Sequence, residues 1–180
     1  LKAISQFELT LISCNSKYDS VMLKTQVFTM QEERGYELFK KDCSSCHAEP
    51  FFTNNQFENN GLPIDPILLD LGRYNITKKK TDSLKFKVPT LRNIEFSYPY
   101  MHDGRFKSIS EVLNHYTNNI KVSNTLSNKL KSEIKLTSNQ KVDLTAFLLT
   151  LTDKKFLFNK DFSFPLDKYY PDIEKKKKTD

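Results

Sequence analysis

Cys43-Ser44-Ser45-Cys46-His47 is the stretch where residue types and spacing converge on a definite chemistry. Two thiols three residues apart share one side of a helical turn, where they can add to the two vinyl groups along one porphyrin edge. The imidazole that follows then swings beneath the ring, placing a nitrogen on the iron. C-x-x-C-H is the attachment signature of c-type haem. Other uses of paired cysteines fit less well. A zinc site needs four ligands, commonly a second Cys pair or a paired His set. Downstream of His47 there is no Cys, and His102 and His115 are poorly spaced for that purpose. A thioredoxin-like dithiol expects a preceding strand and a parallel α/β pattern, and neither is legible. Cys14 reads as a free or partly buried thiol.

Iron held by His47 has a second axial side, and its occupant sets the function. Met101, His102, His115 and Tyr116 are the candidates. Methionine favours reduced iron, as suits an electron carrier; a tyrosine phenolate is a hard anion that stabilises oxidised iron. Tyr116 lies two helical turns after Ile109, on the same apolar face, although an ordinary core tyrosine would sit there too. His115 is about 100° round the helix from it and is expected to face solvent. Met101 and His102 belong to the turn-like run Pro99-Tyr100-Met101-His102-Asp103-Gly104.

The elements that must position these groups are helices. Leu1, Ile4, Phe7 (or Glu8) and Leu11 recur at helical spacing, so residues 1–12 read as the end of a helix. Residues 14–27 read as a polar connector. Thr29-Met30-Gln31-Glu32 has the form of a capping box, opening a helix that runs to Cys43. Gly35 would allow another backbone or side chain to approach it closely, with Phe39 packing one turn later. Residues 48–92, rich in Asn and punctuated by Pro and Gly, show no long period and read as a loop-rich wrap, with Lys78-Lys79-Lys80 at a solvated tip. Ser108-Ile109-Ser110-Glu111 caps a helix whose inward face is Ile109, Val112, Leu113 and Tyr116. Thr137-Ser138-Asn139-Gln140 caps a last helix burying Leu144, Phe147, Leu148 and Leu151. Strand signals are weak. The expectation is an all-α, cytochrome c-like haem domain with long loops and a helix before it.

Composition narrows the partners. The 180 residues are 38% apolar and 12% aromatic, enough for a core, so disorder throughout is excluded. The longest apolar stretch, Ala146–Leu149, falls far short of the ~20 residues of a membrane span. The net charge of +6 comes from 28 basic side chains against 22 acidic ones, but only four are Arg, which argues against a nucleic-acid reader. A Lys-rich solvated surface accounts for the charge, and steering of an acidic electron donor is its functional alternative.

Longer runs carry a family resemblance. Phe86-Lys87-Val88-Pro89-Thr90-Leu91-Arg92-Asn93-Ile94 and Tyr98-Pro99-Tyr100-Met101-His102-Asp103-Gly104-Arg105-Phe106 strongly resemble the bacterial dihaem cytochrome c peroxidase/MauG family. So do Phe51–Asn55, Asn59-Asn60-Gly61-Leu62 and Phe7–Ser13, and the match runs in order over most of residues 1–152. Members of that family are periplasmic and carry two haem c domains. The resemblance is to the second of them, which implies a linker helix and connector over 1–28, the haem domain over 29–155 and a tail over 156–180.

The resemblance also assigns roles. The family's distal ligand lies fourteen residues beyond the His of the His-Asp-Gly turn, at Tyr116 here. Peroxidases of the family often have Met at that position, whereas the MauG type has Tyr. Met101 then becomes a packing residue. Arg92 is expected beside a haem propionate, His102 along the haem cavity, and the carbonyls of Ser97 and Pro99 on an interdomain Ca²⁺. A single C-x-x-C-H and the absence of Trp leave out the family's first haem domain and its inter-haem tryptophan, so the sequence is expected to be a fragment. In the full protein the implied activity is reduction of hydrogen peroxide, with electrons from a small cytochrome c or cupredoxin. A stand-alone monohaem carrier with Met101 on the iron, and a MauG-type oxidase of a protein or organic substrate, are the alternatives.

Overall fold

The structure, a computed structural model, describes residues 1–132 and 134–164. In chain order its helices and strands are α1 (Lys2–Glu8), α2 (Lys17–Met22), α3 (Met30–Asp42), β1 (Phe57–Glu58), α4 (Tyr74–Thr77), β2 (Phe86–Lys87), α5 (Ile109–Asn118), α6 (Ser138–Leu149) and α7 (Lys154–Leu157). The all-α expectation holds, with one small addition. β1 and β2 pair antiparallel, Phe57 opposite Lys87 and Glu58 opposite Phe86, and so fold the long wrap back on itself.

Local capping chemistry sets the helix starts. Thr29 Oγ1 accepts from the Glu32 amide at 3.2 Å, and Glu32 returns the contact by accepting from the Thr29 amide at 2.7 Å. Ser108 with Glu111 and Thr137 with Gln140 do the same for α5 and α6. A fourth box, Ser16 with Asp19, starts α2, which lies inside the expected connector. Aspartate reaches back to the cap as glutamate does, and six residues burying one side chain, Tyr18, are too short for a period to show.

The core is the crossing of α3 and α6. Phe39, Phe147, Leu144 and Leu151 are each at most 1% exposed there, with Phe52 and Tyr18 closing the cluster from the following loop and from α2. Gly35 is what lets the helices meet. A Cβ on it would lie 2.0 Å from the Asp143 carbonyl oxygen and 2.9 Å from Phe147 Cβ. Arg34, one residue earlier, grips the Asp143 carboxylate through Nε and Nη2 at 2.8 and 3.0 Å. Around this crossing Tyr36 stacks on Phe147 at 5.0 Å, while Tyr18 and Tyr36 both donate to Glu49 Oε1, at 2.5 and 2.8 Å. Glu49 thereby ties the loop after the C-x-x-C-H run to α2 and α3.

The chain ends differ from expectation. α1 stops at Glu8, because the Thr10 amide and hydroxyl both turn back onto the Phe7 carbonyl, and none of its residues is buried. Residues 156–164, expected as tail, include the rest of α7 and a 3₁₀ turn whose Phe162 packs edge-on against Phe7 at 6.3 Å. Asp153, fully buried, joins the two ends: it accepts from the Asn15 and Phe156 amides and the Ser13 hydroxyl. The Lys175–Lys178 run lies outside the described residues. Among those described, no helix is long and apolar enough to cross a membrane.

Overpacking a helix contact costs about 1–3 kcal/mol when side chains can shift, and here the obstacle is backbone. Gly35→Ala is therefore expected to lower the unfolding free energy by about 3 kcal/mol. Denaturant titration should show a lower midpoint with an unchanged slope.

Candidate haem site

The last turn of α3 delivers the motif. The Cys43 and Ser44 amides both donate to the Phe39 carbonyl, and the Cys46 and His47 amides donate to the Cys43 carbonyl at 3.1 and 3.0 Å. The helix therefore runs on as a turn through the motif, the geometry the spacing requires. Burial pushes the Cys43 thiol up to about 12, with Asp42 and Cys46 adding to the shift. Cys46 is also raised, chiefly by burial, with Lys129 opposing. Both sulfurs are thus protonated thiols, able to give S and H across a vinyl double bond.

His47 is oriented by main chain alone. Its Nδ1 lies 3.2 Å from the Phe52 carbonyl and 3.1 Å from the Pro89 carbonyl. Carbonyl oxygens can only accept, so Nδ1 carries the hydrogen and Nε2 keeps its lone pair. Burial holds the imidazole pKa below the usual histidine value, although both carbonyls work the other way. A neutral ring with Nε2 free and Nδ1–H fixed by an outer partner is the state in which histidine binds metal. Phe52 takes part from a backbone with φ +54°, uncommon for a residue other than glycine, and its ring is fully buried. The position of this carbonyl is thus set by the core.

Of the four distal candidates, Tyr116 is the one whose electrostatic neighbours are Cys43 and Cys46. Burial raises its phenol to about 12, the two thiols add to this, and the nearby Asn60 side chain pulls it down. Met101 lies on the same side, its Sδ 3.4 Å from Asn60 Nδ2. His115 corrects the sequence reading: it is 1% exposed, not solvent-directed. Its Nε2 meets the Asn60 carbonyl at 3.0 Å, because the loop 59–62 covers a second face of α5 that a one-stripe period does not reveal. His102 stacks on Phe86 at 3.7 Å and lines a cleft of about 310 Å³ with Leu68, Leu69, Asp70, Asn75 and Asp103. Ser97 and Pro99 are exposed between the core and α5.

Arg92 is held by partners within the chain. Its Nη1 and Nη2 grip Asp19 at 3.0 and 2.8 Å, and Nε and Nη2 donate to the Pro50 carbonyl. This clamp fixes α2 to the loop that carries the Phe52 carbonyl. Asn60, Asp19 and the two carbonyls are the site residues that sequence reasoning passes over. Only Asn60 has a local signal, as part of the Asn59-Asn60-Gly61 turn.

Residues 32–152 match the cytochrome c family, and the chain belongs to that family. Its residues fit the covalent haem c of a cytochrome c domain: two adjacent thiols on one turn and a neutral imidazole with Nε2 free. Within the family it is similar to dihaem peroxidases and MauG. It is 32% identical over 154 residues to the methylamine utilization protein MauG of Methylorubrum extorquens, covering 83% of this chain and 42% of that protein. It is 37% identical over 115 residues to the cytochrome c551 peroxidase of Nitrosomonas europaea, covering 62% of this chain and 34% of that one. The crystal structure of a MauG-like protein associated with microbial copper homeostasis superposes with a TM-score of 0.73 at 32% identity, over 85% of this chain and 52% of that one. The diheme peroxidase BthA of Burkholderia thailandensis, at 22% identity and TM-score 0.61 over 79% of this chain and 47% of that one, shares the fold. The chain thus spans roughly half or less of these relatives.

The Asp19–Arg92 clamp makes acid stability a readout of the site. Burial works to raise the Asp19 carboxyl, but Arg92 and Ser16 outweigh it and leave the group below its ordinary 3.8. The unfolded chain therefore binds more protons at Asp19, so the pair's stabilisation is present above pH 3.8 and drains away as pH falls through the lower folded value. Both side chains are mostly buried, and removing one partner of such a pair costs about 3 kcal/mol. Asp19→Asn should lose that much at neutral pH and flatten the acid limb of the stability profile, as followed by thermal unfolding across pH 2–7.

Proposed function

We propose that this chain is the electron-transferring haem c domain of a larger dihaem peroxidase, with His47 and Tyr116 as axial ligands. The observation that carries the reading is Tyr116 on α5, whose electrostatic neighbours are Cys43 and Cys46. Bound between them, haem supplies an iron that accepts and releases single electrons. Every other part of the task falls to the chain. Cys43 and Cys46 fix the porphyrin in register. The Phe52 and Pro89 carbonyls hold the His47 proton on Nδ1, so the Nε2 lone pair is left free and would serve as the ligand to iron. Tyr116 would hold ferric iron as the phenolate, since direct coordination would outweigh the burial that otherwise keeps the phenol protonated. A hard anionic donor then favours the oxidised state.

In the whole protein the activity would be reduction of hydrogen peroxide at an N-terminal haem domain, with a small redox protein as donor and the periplasm as compartment. Similarity to proteins named peroxidase and MauG supports this. An oxidase of a protein or organic substrate is the MauG-type version of the same site. Ser97 and Pro99 would lend carbonyls to Ca²⁺ beside that domain, and His102 would border the haem cavity. A second reading, a lone electron carrier with Met101 on the iron, draws on the placement of Met101 Sδ against the Asn60 amide, on the loop that also meets α5 at His115.

Haem-loaded protein distinguishes them. Tyr116→Phe is expected to change the ferric spectrum and shift the ferric–ferrous equilibrium at least tenfold toward ferrous, about 59 mV in midpoint potential. An unchanged spectrum and potential would overturn the tyrosine ligand, and a sulfur-to-iron charge-transfer band in the unaltered protein would establish Met101 in its place. Cys43→Ala with Cys46→Ala should leave the bare polypeptide mass after acid–organic extraction.

A further inference from the structure

A polar cleft of about 480 Å³ opens beside the haem-attachment turn, between the loop after α4 and residues 124–128. Its lining includes Lys80, Lys85, Glu58, Thr125, Ser127 and Asn128. Lys129 joins it to the motif: Nζ donates to Glu58 Oε1 at 3.0 Å and to the carbonyl of Ser45, the residue before Cys46, at 2.9 Å. Both walls are tied down. On one, the Lys85 carbonyl accepts from the Arg73 amide at 2.8 Å, in an approach that Gly72 permits, since a Cβ there would lie 2.5 Å from the same oxygen. On the other, the Ser127 amide donates to the Asn59 carbonyl, and Asn59 Nδ2 donates to Ser123 Oγ and Thr125 Oγ1 at 3.1 and 2.9 Å.

Charge decides what such a cleft takes. Glu58 is neutralised by Lys129, and Asp82, the carboxylate between the two lysines in sequence, is held by Arg73 Nε at 3.4 Å. Lys80 and Lys85 enter no ion pair among the described residues. Two ammonium groups without counter-ions, flanked by hydroxyls and amides, fit carboxylates. Lys78, Lys79, Lys80 and Lys85 all lie on this one loop, a spread of charge that serves a surface better than a single small ion. We propose that the cleft is the docking site of a small acidic redox protein, whose carboxylates pair with Lys80 and Lys85 and whose redox centre is thereby brought to the Ser45–Cys46 edge of the haem site. The inference rests on the electron-transfer reading and adds to it where the donor sits and which charge it carries. In each encounter the reduced partner gives up one electron and ferric iron takes it up, with no bond made or broken. The net charge of +6 draws an acidic partner in from a distance, and rim lysines act on the rate of encounter more than on the strength of the complex. Fast, brief docking suits a donor that must leave after one electron.

The test uses the haem-loaded chain, with a strongly acidic plant-type ferredoxin of low potential as the probe. The second-order rate of haem reduction, followed by stopped flow, is expected to fall at least tenfold between about 10 mM and about 200 mM salt, as screening shortens the reach of the field. Lys80→Glu with Lys85→Glu should lower the low-salt rate at least tenfold and flatten its salt dependence, and Lys80→Gln with Lys85→Gln should fall between that pair and the unaltered chain. Lys154→Glu with Lys155→Glu makes the same change of net charge on α7, which lines no part of the cleft, and should keep most of the rate. Carbodiimide, which joins a lysine amine to a carboxylate as an amide with loss of water, should link ferredoxin to Lys80 or Lys85, read by peptide mass without any turnover. Equal slowing in the two reversed pairs, or cross-links only elsewhere, overturns the inference. So does phosphate that slows reduction more than chloride at equal ionic strength while no cross-link forms, the mark of a free-anion site. Dithionite keeps the two ideas apart. If it cannot reduce the haem of the unaltered chain, the electron-transfer reading fails; if it reduces every variant while ferredoxin does not distinguish them, only the docking site fails.

Discussion

The hydrogen bonds from His47 Nδ1 to the carbonyls of Phe52 and Pro89 are the contact on which the rest of the site depends. They decide the tautomer, and the tautomer decides whether a lone pair is available to iron. Each carbonyl is then secured from a different direction. Phe52 is seated by its ring, packed on Tyr18 at 4.8 Å and tilted against Phe39 at 5.4 Å, so the core itself sets one acceptor. Pro89 follows Val88, whose amide donates to Gln56 and whose carbonyl accepts from Thr53, so the short ladder beside β1 and β2 sets the other. The wrap that looks featureless in sequence serves to bring a carbonyl forty-two residues from His47 onto its ring.

The crossing of α3 and α6 supplies the rigidity behind this arrangement. Gly35 lets the helices close, and closure drives Phe147 against Phe39 and Tyr36. Those rings in turn form the seat for Phe52. Glu49 and the Arg92–Asp19 clamp then hold the loop after the motif against α2 and α3. A turn that must present two thiols and an imidazole to one flat group tolerates little movement, because misplacement of about 1 Å is costly at a reacting centre.

What the sequence makes legible here is whatever rests on near neighbours. The boxes at Thr29, Ser108 and Thr137 are each written in two residues three apart, and all three helices start where those residues say. The turn geometry of Cys43 to His47 and the close approach at Gly35 are readable for the same reason. α2 escapes because its cap pairs Ser16 with Asp19 and its buried face amounts to Tyr18. His115 is misread because a helical period assigns one inward stripe, and α5 is covered on two sides. Asn60 shows only a turn. Its contacts with Met101 and His115 lie forty-one and fifty-five residues away, beyond the reach of any local pattern. Arg92 looks like a residue waiting for a carboxylate, and the carboxylate turns out to be Asp19.

The two faces of the haem site are therefore held by different kinds of group. On the His47 side the acceptors are main-chain carbonyls, which no substitution at Phe52 or Pro89 removes and no pH change titrates. On the other side the Met101 sulfur is held by the Asn60 amide, a single side chain that substitution can delete while the helix around it persists. With haem bound as we propose, the first arrangement would secure ligation of the iron, and the second would leave the opposite side of the site adjustable one residue at a time. A scaffold of this kind can keep its proximal geometry fixed while distal chemistry moves between a carrier's methionine and an oxidant's phenolate.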